Sequence, residues 1–245
     1  MRQKRGSSGL DNASCTQMRG RSGSVRRLDF QVEENAFQNV HRNSEHYQDN
    51  LYHIPEHIVK STIFNFSEFT SIWKCFPNYV QTRKPVKVFE SANDGFNLQT
   101  LYSKAKQFLD DNNDGDGDLS DYHYCLILVH TTAESKFGAF ISAFPYPDAR
   151  NPFKGTSESF VFSLAPNGYR MYQAASETNR YYLECNANYI SIGSGYDGPA
   201  IRIDGNLGKG STNHCETFES PILAGNGEKH TDDAFEVYNM EMFIL

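Results

Sequence analysis

The spacing of apolar residues along the chain changes near residue 120. Before that point, apolar side chains recur every three or four residues, as at Phe69, Trp73 and Phe76, and again from Leu98 to Leu109. This spacing is typical of helices that bury one face. After it, short apolar runs alternate with Gly, Pro, Asn and Asp, which is typical of strands joined by turns. The pattern predicts helices followed by many antiparallel strands.

The predicted strands differ in how many faces they bury. Residues 126–130 form a continuous apolar run, which indicates a strand covered on both faces. Residues 189–193 and 200–204 show the two-residue period of half-buried strands. The other predicted strands are 86–91, 137–144, 158–164, 169–173, 181–185 and 234–244. We therefore expect an α+β, mainly β fold, a two-sheet antiparallel β-sandwich with flanking N-terminal helices.

Charge divides the chain into a basic tail and an acidic body. The formal net charge is −7, but residues 1–27 carry +6 and the other 218 residues carry −13. The basic residues of the tail are Arg2, Lys4, Arg5, Arg19, Arg21, Arg26 and Arg27. Few apolar residues stand among them to form a core. We expect residues 1–50 to be a basic, low-complexity tail and linker, and residues 51–245, which open with a predicted helix at 54–59, to be the folded domain.

The tail predicts an acidic partner. Its charge fits an acidic protein face or a polyphosphate, whereas nucleic acid fits less well because the body is acidic and carries no nucleic-acid-binding motif. A mitochondrial presequence is disfavoured because Asp11 and several glycines interrupt an amphipathic helix. The remaining alternative is a solvated tail that binds nothing. We expect a protein partner and no nucleic acid.

The cysteines and the apolar runs bear on the compartment. No run approaches the roughly 20 apolar residues of a membrane-spanning helix, so we expect no membrane span. The five cysteines have neither zinc-site spacing nor a C-x-x-C pair. Free thiols in a reducing cytosol are the simplest expectation, with Cys125 in the core because it opens an apolar run.

Six short blocks between residues 54 and 218 carry a family resemblance. In order they read IPEH, FESANDGFNLQTLY, FGAF, FKGTSESFVF, IGSG and GSTNHCETF. Together they resemble the TLDc domain of the oxidation-resistance proteins and their nuclear-receptor-coactivator-like relatives. The chain departs from the family pattern at Ser157, where Gly is usual, and at Phe243, where Trp often closes the last motif.

The resemblance implies a function as well as a sandwich fold. Members protect cells against oxidative stress, and several bind the cytosolic part of the vacuolar proton-pumping ATPase and regulate it. No cofactor comes with the family. We therefore expect a non-enzymatic, cytoplasmic interaction module at the cytosolic face of acidic organelles that binds this pump. The alternatives are a structural scaffold in another large cytosolic assembly, such as ciliary microtubules, and a thiol-based antioxidant.

The candidate partner-binding residues of the body are Glu158, Glu216, Gly155, Gly193 and Gly195, and the seven basic residues of the tail form a second set. The two carboxylates flank glycine-rich turns, where they could contact a partner, accept hydrogen bonds from turn amides or act as an acid–base pair. We expect glycine to stand at these positions because the backbone adopts unusual angles there, rather than because a ligand approaches closely.

We expect no catalytic residue. His214 and Cys215 are adjacent, and neighbours on a strand point to opposite faces, so they are poorly placed to form a reactive thiol. No nucleophile elbow, phosphate-binding loop or zinc-protease helix is present in the sequence.

Residues 110–121 resemble an EF-hand calcium loop that follows a helix. The candidate ligands are Asp110, Asn112, Asp114, Asp116, Asp118 and Asp121. Gly117 stands where an apolar residue is expected, position twelve is Asp rather than Glu, and a strand follows. The alternative is a solvated acidic insertion between a helix and a strand.

If this loop binds calcium, binding is expected to be weak, and Asp114→Ala should abolish it because a central oxygen ligand is lost. Calorimetric titration of both proteins with calcium measures this. Absence of both heat and thermal stabilisation in the unsubstituted chain would rule the site out.

Overall fold

Across residues 60–112, 124–165, 168–175, 179–225 and 234–245, the computed structural model describes four helices and eleven strands. The helices are α1 (Phe66–Trp73), α2 (Asn78–Gln81), α3 (Ser91–Asp94) and α4 (Leu98–Asn112). The strands are β1 (Val86–Glu90), β2 (Cys125–Thr131), β3 (Lys136–Ile141), β4 (Phe153–Lys154), β5 (Phe160–Ala165), β6 (Arg170–Gln173), β7 (Leu183–Cys185), β8 (Tyr189–Ile192), β9 (Ile201–Asp204), β10 (Lys209–Ser211) and β11 (Ala234–Ile244). In this part of the chain, no helix has the length and apolar character needed to cross a membrane.

The strands form two antiparallel sheets that share β11. The first sheet has the order β1-β11-β2-β3-β5-β6, and the second has the order β4-β7-β8-β9-β10-β11. β11 serves both because it is long: residues 234–236 pair with β10, and residues 237–244 pair with β2. The expected two-sheet antiparallel sandwich is confirmed.

Two apolar cores lie on opposite faces of the first sheet. The core between the sheets contains Ile127 and Val129 of β2, Ile190 of β8 and Ile203 of β9, and α4 adds Leu101. The second core lies between the first sheet and α1, and its members include Leu126, Leu128, Phe162, Phe243, Phe69 and Trp73. β2 is therefore buried on both faces, which explains its uninterrupted apolar sequence.

Helix α1 begins where the sequence provides a cap. The Asn65 side chain accepts a hydrogen bond from the Glu68 amide, and the Glu68 carboxylate accepts one from the Asn65 amide, which together form a capping box. The buried face then places the Phe69 ring edge-on to Phe243, with ring centroids 5.8 Å apart. The predicted helical set around Phe69 and Trp73 is confirmed as core.

Most strands occur where the apolar pattern predicts them, and two were missed. β4 has only two residues, and β10 reads Lys-Gly-Ser, which carries no apolar pattern. Both are strands because neighbouring strands pair with them: β7 pairs with β4, and β10 is paired on one side with β9 and on the other with β11. The predicted helix at 54–59 and the predicted domain boundary near residue 50 lie outside the described residues.

The four described cysteines, Cys75, Cys125, Cys185 and Cys215, are free thiols, as expected. Cys125 is fully buried in the core between the sheets. Burial raises the pKa of the Cys125 thiol above its ordinary value, so this cysteine is held in its neutral form.

A charged cluster joins the start of the described body to β11. The Glu241 side chain is fully buried and accepts hydrogen bonds from the Thr62 amide at 2.8 Å and the Ser61 hydroxyl at 2.6 Å. The Lys87 ammonium lies 3.0 Å from Glu241 and 2.8 Å from Glu90, so one cation is shared by two carboxylates. Asn93 donates a further hydrogen bond to Glu90.

Electrostatics favour the charged forms of Lys87 and Glu90. Desolvation alone would lower the pKa of Lys87, but its hydrogen bonds to Glu90 and Glu241 raise the pKa above its ordinary value. Desolvation likewise would raise the pKa of Glu90, but hydrogen bonds from Lys87 and Thr62 lower it below its ordinary value.

Replacing Lys87 by Met should destabilise the fold by about 3 kcal/mol, because it leaves two largely buried carboxylates without their cation. Lys209→Met is the matched control, since Lys209 is exposed and lies 4.0 Å from Glu236; it should change stability by less than about 0.5 kcal/mol. Urea unfolding measures both. Equal effects of the two substitutions would contradict the role of the cluster.

Acid should destabilise the fold through Glu90. Folding lowers the pKa of Glu90, so Glu90 contributes fully to stability above its unfolded-state pKa of ~4.3. This contribution is lost as the pH falls through the native-state pKa. Glu90→Gln should therefore be less stable at neutral pH and lose less stability below about pH 4. Urea midpoints across this range test it, with Glu236→Gln, on an exposed side chain, as control. Parallel curves for the chain and Glu90→Gln would refute the assignment.

Candidate protein-interaction site

Two loops at one end of the second sheet meet around Glu216. One is residues 193–198, which follow β8, and the other is residues 213–221, which follow β10. The second loop is closed by a two-way backbone pairing of Cys215 with Ser220, at 3.0 and 3.2 Å. This pairing leaves residues 216–219 as a tight four-residue turn.

The turn sends its side chains in two directions. Thr217 and Phe218 are buried, and Phe218 belongs to the core between the sheets. Glu216 and Glu219 are exposed. Glu219 has a φ of 47°, in the left-handed region that residues other than glycine rarely adopt. Two carboxylates are thus displayed on a turn that is anchored from below.

Thr217 is the main polar anchor of the turn. Its amide donates to the Ser194 carbonyl at 3.2 Å, and its hydroxyl lies 2.9 Å from the Ser194 amide and 3.0 Å from the Asn179 side-chain oxygen. Its carbonyl accepts a hydrogen bond from Ala175 at 2.9 Å. Three separate chain segments therefore fix the position of one residue.

Glycine is required where the two loops touch. A Cβ at Gly195 would lie 2.8 Å from the backbone nitrogen of Glu216, and a Cβ at Gly193 would lie 2.6 Å from the Cys215 sulfur. Gly193 also has a φ of 77°. The expected unusual backbone angle occurs at Gly193 but not at Gly195, where glycine instead permits close packing beneath Glu216.

An open cavity lies between the loops, and we call it the acidic cavity. Its volume is about 390 Å³, and it is lined by Tyr196, Asp197, His214, Cys215, Glu216, Glu219, Ser220 and Pro221. Three of these residues are carboxylates and none is Lys or Arg. The Tyr196 amide lies 3.4 Å from a Glu216 carboxylate oxygen, which holds Glu216 at the edge of the cavity.

Glu158 makes its contacts elsewhere. Its carboxylate accepts a hydrogen bond of 2.6 Å from the Tyr79 hydroxyl, which in turn accepts one from Tyr124 at 3.0 Å. Burial and the hydrogen bond to Glu158 raise the pKa of Tyr79 above its ordinary value. The described hydrogen bonds of Glu158 and Glu216 therefore involve different elements, and no acid–base pair is formed between them in these contacts.

Gly155 lies beside the buried core residue Tyr182. It has a φ of 98°, and a Cβ there would lie 3.1 Å from the Cβ of Tyr182. The Tyr182 carbonyl accepts a hydrogen bond from Gly193 at 3.1 Å. Gly155 and Gly193 thus pack on the same buried tyrosine.

His214 and Cys215 are separated as their adjacency predicts. His214 is exposed, whereas Cys215 is 3% exposed and its sulfur lies 3.5 Å from the Ser194 carbonyl. The thiol supports the base of the turn.

Several of the predicted site residues lie outside the described residues. The seven basic tail residues are outside them, and so are the calcium ligands Asp114, Asp116, Asp118 and Asp121. Asp110 and Asn112 belong to the last turn of α4, and the side-chain amide of Asn112 donates a hydrogen bond to the Phe108 carbonyl at 2.7 Å. Within the described part of the chain, no group of three His, Cys, Asp or Glu side chains could hold a metal ion.

Sequence reasoning missed three residues of this site. Tyr196 is 95% exposed beside Glu216, Thr217 anchors the turn, and Ser220 closes it. The fully exposed aromatic could have been suspected from the Ser-Gly-Tyr-Asp-Gly run after β8, which is typical of a surface loop. The contacts of Thr217 join residues far apart in sequence and leave no local pattern.

Comparison with known proteins supports the family resemblance. The chain is 24% identical to the GTPase-activating protein skywalker of Drosophila melanogaster over 71% of its own length, and 25% identical to nuclear receptor coactivator 7 of Mus musculus over 62%. It is 31% identical to oxidation resistance protein 1 of Podospora anserina over 29% of its length. The alignments cover 28%, 14% and 19% of these relatives, so the chain spans less than a third of each.

The model of the TLDc domain matches residues 57–245. That match covers both sheets, all four described helices and both loops of the acidic cavity. The chain therefore belongs to the TLDc domain family.

Proposed function

We propose that this chain is a non-enzymatic interaction module that binds and regulates the cytosolic part of the vacuolar proton-pumping ATPase and contributes to resistance against oxidative stress. It would act in the cytoplasm, at the cytosolic face of acidic organelles. The observation that carries the proposal is the acidic cavity, where two exposed carboxylates stand on a turn held by buried anchors. Rigid, exposed charged groups suit recognition of a partner, since little ordering cost is incurred on binding.

Binding rather than catalysis is favoured by the exposure of the groups. Glu216 and Glu219 are both open to solvent, where a carboxylate is a poor general acid. The thiol of Cys215 is buried beneath them. The GTPase-activating name belongs to skywalker, of which the alignment covers only 28%.

The basic tail would provide a second contact. With a charge of +6 it fits an acidic surface on the same assembly. Two tethered contacts raise the overall affinity by about 10²–10⁴-fold without improving either one.

Reversing charge at the turn tests the site. The double substitution Glu216→Lys with Glu219→Lys should reduce capture of the purified cytosolic part of the pump by about tenfold or more. The two lysines would face the basic surface of the partner that the carboxylates are proposed to bind, and like charges repel. Glu236→Lys is the matched control: it reverses an exposed carboxylate on β11 that does not line the acidic cavity, and should leave capture unchanged.

Thermal unfolding separates lost binding from lost structure. The double variant and the control should unfold at the same temperature as the unsubstituted chain. Gly195→Ala should unfold at a lower temperature, because its Cβ would clash with the Glu216 backbone. Undiminished capture by the folded double variant would refute the proposed site. Co-purification of tubulin in place of pump subunits from native extract would favour the scaffold alternative.

Removing residues 1–27 tests the second contact. Capture of the pump should weaken, and what remains should depend less on salt, because seven basic residues no longer contribute a screened attraction. Capture measured across a salt series on the full chain and the truncated chain checks this. Identical curves would reject a role for the tail.

A further inference from the structure

The acidic cavity combines three features that suit one kind of ligand group. Asp197, Glu216 and Glu219 place carboxylates around it. Tyr196, 95% exposed, offers an aromatic face at its edge. Ser220, 2% exposed, also lines it, and its hydroxyl oxygen has no hydrogen-bond partner among the described residues.

The unpaired hydroxyl is the most informative of these features. A buried polar atom without a partner is rare in native structures, and its desolvation is compensated when a ligand supplies the missing hydrogen bond. The backbone of Ser220 is held in place at the cavity, since it is paired in both directions with Cys215. The ionised carboxylates only accept hydrogen bonds and the hydroxyl can also accept one, so the arrangement favours a ligand with several donors and positive charge.

A divalent cation fits this arrangement poorly. Metal ions need several ligands converging on one point, and the described residues contain no group of three His, Cys, Asp or Glu side chains that could hold one. A planar guanidinium instead presents five N–H donors spread over its edge and a face that stacks on aromatic rings. Separated acceptors beside an exposed tyrosine match that shape.

We propose that the acidic cavity is a socket for an arginine side chain presented by the partner protein. The guanidinium donates to Glu216 and Glu219, and to the Ser220 hydroxyl, while its face lies against Tyr196. This deepens the proposed function, on which it rests for the existence of a partner, by naming the group that the partner inserts. The rigid base beneath the turn, fixed by Thr217, keeps the acceptors in place before binding.

Nuclear magnetic resonance of the full chain tests the socket with small probes. The probes are capped Gly-Arg-Gly, the same peptide with Lys, and the same peptide with citrulline, which keeps the shape of arginine without its charge. The Arg peptide should shift the amide signals of Tyr196, Glu216, Glu219 and Ser220, bind several-fold more tightly than the Lys peptide, and be weakened by salt. The citrulline peptide should cause no shift at these amides.

Three variants assign the contacts. Glu216→Gln with Glu219→Gln should weaken binding of the Arg peptide by about tenfold, Tyr196→Ala by roughly threefold, and Ser220→Ala by roughly fivefold. Glu236→Gln, which removes an exposed carboxylate of β11, should leave binding unchanged. Unfolding temperatures identify any variant that loses binding because it is destabilised. If Ser220→Ala does not fold, the variants at the exposed Tyr196 and at the two glutamates still test the proposal.

The outcomes separate this inference from the proposed function. Absence of shifts at these amides up to about 20 mM Arg peptide, equal shifts with citrulline, or shifts spread over the whole acidic body would overturn the socket. Loss of pump capture by the charge-reversed turn would leave the proposed function standing in that case. Conversely, Arg-specific shifts at the cavity with undiminished pump capture would support the socket and refute the pump as its partner.

Discussion

The architecture depends on β11 being long enough to belong to two sheets. Its first residues pair with β10 and the rest with β2, so one strand fixes how the second sheet continues from the first. Its alternating side chains serve both cores, Met240 and Met242 between the sheets and Phe243 under α1. This position also carries a buried charge: Glu241 faces the helical side, where Lys87 neutralises it and the backbone amide of Thr62 donates a hydrogen bond to it.

The interaction site inherits its rigidity from the second sheet. Strands β8 to β10 carry the two loops, and Phe218 extends from the turn into the core that β11 helps to form. The buried half of the turn is thus part of the fold, while the exposed half is free for contact. Substitutions below Glu216, at Gly193 or Thr217, should impair the proposed function through structure, whereas those at the exposed Glu216 should act on the proposed recognition.

The sequence predicted those parts whose cause is local. α4 and β2 follow from a helical period and an apolar run, and β11 follows from a long apolar end with the predicted bounds. The sequence could not predict β10, whose pairing is imposed by its neighbours, or the burial of Glu241, whose partners lie some 150 to 180 residues away. The carboxylate of Glu216 was found through the family blocks, but the cavity around it arises from contacts between distant loops.

The opposite charges of the tail and the body constrain the partner. The tail, at +6, would favour an acidic surface, whereas the proposed arginine socket in the acidic cavity would take a cationic group. A uniformly anionic polymer, such as nucleic acid or polyphosphate, would attract the tail but be repelled by a body of charge −13. Engagement of both requires a partner with an acidic and a basic patch within reach of one another, which a folded, multi-subunit protein assembly provides. Such a pair of complementary contacts also gives orientation, because reversing the molecule on its partner would place like charges together.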